Sequence, residues 1–201
     1  MKKFLSLTAC LVFCFAVSAY AQDEDQNEAQ QKAISSAVKR LGNTEPLIRQ
    51  RAAEELARYA DNNQKLIVDG YRVQEKDRRV RLALDWALYR MGNENKLFDI
   101  AYELGTSRRN QASSYLVQLE KPEMLYGFLR SEDKVLIGLL GVLAQIGNEG
   151  TLVKLEPYTR VVNQEIVSAA KYAREEIYKR LANPALKKQT RPRTVGETSQ
   201  P

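Results

Sequence analysis

Residues 77–91 and 132–146 carry the same apolar spacing, and this recurrence narrows what the chain can fold into more than any other feature. Val80, Leu84, Ala87, Leu88 and Met91 fall at i, i+4, i+7, i+8 and i+11, which is one stripe of a 3.6-residue helix. Val135, Leu139, Val142, Leu143 and Ile146 repeat that spacing 55 residues later. Each copy then runs into Gly-Asn-Glu, at 92–94 and again at 147–149. A glycine there suits the left-handed stop of a helix, the asparagine suits the cap of the next one, and the glutamate faces its dipole favourably. Leu41-Gly42-Asn43 does related work in another phase, with Pro46 at the first turn of the helix that follows.

Weaker copies fill the gaps. Ala112, Tyr115, Leu116 and Leu119 fit the stripe between the two strong ones. Ile48, Ala52, Leu56 and Tyr59 precede them, and Ile166, Ala170, Ala173 and Ile177 follow. The last stripe members Tyr59, Met91, Leu119, Ile146 and Ile177 are 32, 28, 27 and 31 residues apart. Shorter helices are expected between them, near 28–41, 64–74, 94–104, 122–130 and 149–160, and no run of alternating β-branched residues competes. The spacing predicts an all-α, helical-repeat solenoid of about five helix pairs spanning 29–182.

The pattern of apolar-Arg, small residues, leucine and apolar-Gly resembles the HEAT repeat family, above all its short bacterial form related to phycobilisome lyases. Ile48-Arg49 with Ala52 and Leu56, Val80-Arg81 with Leu84, Leu88 and Met91-Gly92, and Val135 with Leu139 and Ile146-Gly147 carry the likeness. It implies a right-handed superhelix used mainly to bind other macromolecules. It also implies that Arg49, Arg81 and Arg109, at the family's arginine position, tie neighbouring turns together.

The first residues hold Lys2 and Lys3, a weakly polar to apolar run from Phe4 to Ala21, and then an acidic cluster, the order of parts in a secretory signal peptide. Ala19-Tyr20-Ala21 meets the small-residue requirement for cleavage, so the mature chain is expected to begin at Gln22, in the periplasm or outside the cell. A lipid on Cys10, from the lipobox-like Leu7-Thr8-Ala9-Cys10, is the weaker alternative, and an uncleaved anchor is another. Residues 22–28 read as an acidic extension and 183–201 as a basic tail of low apolar content, expected to be disordered.

Composition limits the chemistry. There is no histidine, and both cysteines, Cys10 and Cys14, lie in the presumed signal, so a mature chain would lack imidazole and thiolate nucleophiles and metal ligands. Neither a cofactor nor a metal is expected. Adjacent carboxylates such as Glu54 and Glu55 diverge on a helix and read as solvated faces. Removing Lys2 and Lys3 leaves 29 basic against 25 acidic residues, an excess of four, which is modest for a nucleic-acid binder.

The expected function is a protein-binding or assembly scaffold of the bacterial envelope, with no catalysis. The alternatives are an enzyme of bilin-lyase-like descent and a binder of anionic polymer or lipid. Trp86 and Tyr89 lie opposite the core stripe of their helix, flanked by Arg81 and Arg90, and Trp, Tyr and Arg dominate binding hot spots. The helix 132–146 is apolar nearly all round, with Leu136 and Leu140 where the earlier copy has Arg81 and Asp85. Arg81, Trp86, Tyr89, Arg90, Leu136 and Leu140 are therefore the candidate protein-binding residues. With Ser114, Val117 and Ala144 they are expected to form one strip for a partner whose rim is acidic. Packing within the fold is the competing reading for Trp86 and for the Leu136 and Leu140 face.

Overall fold

The computed structural model describes residues 27–183, and every regular element among them is helical. The expected signal segment with its expected cut after Ala21, Cys10, residues 22–26 of the acidic extension and the tail from 184 onward lie outside the described residues. The chain forms two compact units that divide between Gly92 and Asn93.

The first unit contains α1 (27–40), α2 (Pro46–Tyr59), a 3-10 turn at Asn62–Gln64, α3 (Lys65–Gln74) and α4 (Arg78–Arg90). Pro46 occupies the start of α2, where its missing N–H costs no helical bond. Asp77 caps α4, its carboxylate accepting from the backbone N–H of Arg79 at 2.8 Å and of Val80 at 3.4 Å. α4 packs most extensively on α2 and also against α3. The whole α4 stripe from Val80 to Met91 is buried, together with Ala52, Ala53, Leu56 and Ala57 of α2. Small residues on one helix leave room for the leucines of the other.

The second unit contains α5 (Lys96–Tyr102), which tightens into a 3-10 turn at Glu103–Gly105, then α6 (Arg109–Leu116) and a 3-10 segment at Pro122–Arg130. α7 (Asp133–Ile146), α8 (Glu149–Leu155), a 3-10 turn at Glu156–Thr159 and α9 (Gln164–Ala182) complete it. Within this unit α7 is the hub. It contacts α9 most extensively, then the 103–105 turn, the 122–130 segment and α6. An α-helix is the expectation over 122–130, but three residues per turn brings Pro122 and Leu125 inward together, both buried, and Gly127 lowers the preference for the wider helix.

The two Gly-Asn-Glu copies turn out to use their glycine differently. Gly92 has φ +81°, the left-handed stop that the sequence suggests. Gly147 has φ −59° and is not left-handed. It is required by close approach instead, since a Cβ there would stand 2.6 Å from both Ile177 Cδ1 and the Leu143 carbonyl oxygen. The asparagines diverge as well. Asn148 caps α8 through a reciprocal pair with Thr151, whereas α5 is preceded by Asn95 with no side-chain cap, and Asn93 contributes its carbonyl to Lys96 N–H at 3.0 Å. Glu149 opens α8, while Glu94 lies in the turn before α5.

Candidate binding surfaces

The recurring arginines are tied into the fold. Arg49 forms a two-pronged bond to Glu75, Nε to Oε2 at 2.7 Å and Nη2 to Oε1 at 2.9 Å, while Nη1 donates to the carbonyls of Asn43 and Thr44. Arg81 donates to the Glu75 carbonyl at 2.7 Å. Arg109 donates from Nε to the Leu104 carbonyl at 2.9 Å and from Nη2 to that of Lys134 at 3.5 Å. Each guanidinium therefore bonds carbonyls or a carboxylate outside its own helix, and Arg81 is half-buried rather than presented to solvent.

Glu75 anchors the first of these networks. Its side chain is buried, and Oε1 also accepts from the backbone N–H of Lys76 at 2.9 Å and of Asp77 at 2.8 Å. The Arg49 guanidinium, helped by those amides, holds the carboxyl below the usual carboxylate range although burial pushes the other way. A lowered folded-state pKa stabilises the fold above the unfolded value, about 4.3 for Glu, and this contribution disappears as pH falls through the folded value. Glu75→Gln should therefore cost about 3 kcal/mol at pH 7, the scale for breaking one side of a buried pair. In denaturant titrations the gap between variant and native chain should shrink at pH 3. A gap independent of pH would show that the charge of Glu75 contributes nothing.

Three of the six candidate contact residues are not surface residues. Trp86 is only 3% exposed and Leu140 is 0% exposed, with Leu136 also buried. Every residue of α4 from Leu82 to Leu88 is buried, including Asp85, whose carboxylate meets Arg72 of α3 at 2.8 and 3.3 Å. The Trp86 ring stacks on Tyr89 with centroids 5.5 Å apart and planes 20° apart, and the Arg90 guanidinium carbon lies 5.6 Å from the indole centroid. Tyr89 is half-buried and Arg90 exposed, so both keep some outward surface beside the tryptophan.

The apolar excess of α7 is consumed by its neighbours in the second unit, chiefly α9. Arg180 of α9 also reaches back to the Ala144 and Gly147 carbonyls at the C-terminal end of α7. Along the expected strip, Ser114 is exposed, Val117 half-buried, and Leu140 and Ala144 buried. A strip whose members differ this much in exposure offers a partner no continuous apolar surface.

No family model matches the chain, and no curated protein matches it.

The exposed apolar residues lie elsewhere, on the short helices. In the second unit Phe98 is 63% and Tyr102 54% exposed, one turn apart on α5. Phe98 touches the Phe128 ring of the 122–130 segment, centroids 6.0 Å apart and planes tilted by 46°. In the first unit Leu66 and Val73 of α3 are 86% and 73% exposed. The sequence carries a signal for the α5 pair. Leu97, Ile100, Ala101 and Leu104 form the buried stripe, and Phe98 and Tyr102 stand one position, about 100°, off it. Aromatic residues just outside a stripe are easily absorbed into it when only apolar content is read.

Proposed function

We propose that this chain is a non-catalytic binding or assembly module built of HEAT-like helix pairs and working in the bacterial envelope or outside the cell. The aromatic surface of Phe98, Tyr102 and Phe128 is the observation that carries the binding part of this reading. Phe98 and Tyr102 are exposed and Phe128 is half-buried beside them. Large exposed rings give up much apolar area on contact and lose little conformational freedom, which is why aromatics dominate hot spots. The repeat-family part rests on the arginines Arg49, Arg81 and Arg109 and on the sequential packing of helices within each unit. The envelope location rests on the order of charge, apolar run and small-residue site in residues 1–21.

Phe98→Ala combined with Phe128→Ala should weaken capture of a protein partner from envelope extract by about 2 kcal/mol or more, the usual hot-spot threshold. Quantitative mass spectrometry of proteins retained by native and variant chains reads this directly. Phe98 is exposed and Phe128 half-buried, so the variant should keep its helical content, which circular dichroism checks. An unchanged set and amount of retained proteins would remove this surface from the binding reading.

A further inference from the structure

We infer that the first unit carries a docking surface for an anionic lipid bilayer, formed by the outward face of α3 and the cations at the link to α4. α3 is a ten-residue helix whose buried side is held by Val68, with Tyr71 and Arg72 half-buried. Leu66 and Val73 stand seven residues apart, about two turns or 10 Å along the axis, and point to the opposite side. Gly70 lies between them, and a Cβ built there meets nothing within 4 Å. Ile67, 44% exposed, extends the apolar face on one flank. A helix with its inner side fixed to a protein and its outer side carrying isolated large aliphatics fits the interfacial plane of a membrane, where a modest apolar face sinks among the acyl chains.

Charge selects the occupant. Val73 is followed at once by the link to α4, where Lys76, Arg78 and Arg79 are all exposed, and Lys65 begins α3. Of the two acidic groups of this link, Glu75 is engaged inward with Arg49, and Asp77 is taken up by the α4 cap and by Arg79 at 3.4 Å. Residues 27–92 hold 13 basic and 9 acidic side chains, whereas residues 93–183 hold 12 of each, so the positive excess of the described chain belongs entirely to the first unit. Exposed aliphatics bordered by cations match the two components of an anionic bilayer, acyl chains and phosphate headgroups, at one place. Asp69 is the one acidic side chain on the outward side of α3, and it opposes this attraction.

Co-sedimentation with vesicles of equimolar phosphatidylglycerol and phosphatidylcholine, against vesicles of phosphatidylcholine alone, tests the inference. All variants are compared in the full chain, so that residues 1–26 contribute equally to every arm. The native chain should bind the anionic vesicles better, and less so as salt is raised. Lys76→Gln with Arg78→Gln should weaken that binding by roughly fivefold per cation removed. Leu66→Ser with Val73→Ser should weaken it by about tenfold or more, and Asp69→Asn should strengthen it. All of these positions are exposed, so melting temperatures should stay within a few degrees. Equal affinity for both vesicle types would overturn the inference. So would full retention in the Leu66 and Val73 variant, because attraction through the cations alone describes a site for soluble polyanions. Competition by free glycerol phosphate at millimolar level would likewise assign the site to free phosphate instead of the bilayer.

Discussion

Leu140→Asp is expected to unfold the second unit at room temperature. Leu140 is fully buried in α7, the helix that touches most other elements of that unit. Replacing it removes roughly 2 kcal/mol or more of apolar burial and places a carboxylate where ionisation without a partner costs several kcal/mol. Typical domains hold only about 5–15 kcal/mol in total, so the sum removes most of the margin. Circular dichroism and thermal melting of the purified variant check this. A folded variant with a transition near that of the native chain would mean that this face of α7 reaches water, contrary to its position here. Gly138 shows how little freedom the helix has, since a Cβ there would stand 2.8 Å from Leu104 Cβ.

Trp86→Ala should lower stability by about 3–5 kcal/mol, the range for emptying a large aromatic site. The indole loses its burial, its stack on Tyr89 and the Arg90 guanidinium 5.6 Å from its centroid, and the vacated volume cannot be refilled by rigid neighbours. Chemical denaturation followed by circular dichroism gives the number. Tyr89→Ala, at a half-buried position, should cost less than half as much. If Trp86→Ala left the transition unchanged and removed binding of a protein partner instead, the tryptophan would be a contact residue.

Helices declare themselves through spacing, and here the spacing was informative. The stripes ending at Met91 and Ile177 are buried throughout, and so is the one ending at Leu119, although α6 stops at Leu116 and Leu119 packs from the turn beyond it. Burial of one face at 3.6-residue intervals is what makes such a segment helical in water. Ile146, Ile48 and Tyr59 are only half-buried, each at an end of its helix, where neighbours cover less. The family resemblance implies ties at Arg49, Arg81 and Arg109, and each guanidinium does bond outside its own helix. Partners such as Glu75 and the Lys134 carbonyl, 26 and 25 residues away, could not be named in advance.

The residues outside the stripes divided differently. Trp86, Leu136 and Leu140 have the chemistry of contact residues, and Phe98, Leu66 and Val73 have it equally. Hydrophobicity is the same quantity whether the covering surface is another helix or water, so composition ranks none of these above the others. The same limit applies to Gly92 and Gly147, each followed by Asn-Glu, of which one answers a positive φ and the other the approach of Ile177. Helical periodicity is a local property, encoded within a dozen residues, and the sequence alone determined it. Which faces stay open to water depends on atoms tens of residues away, and only the tertiary structure decided that Trp86 and Leu140 are covered while Phe98, Leu66 and Val73 are exposed.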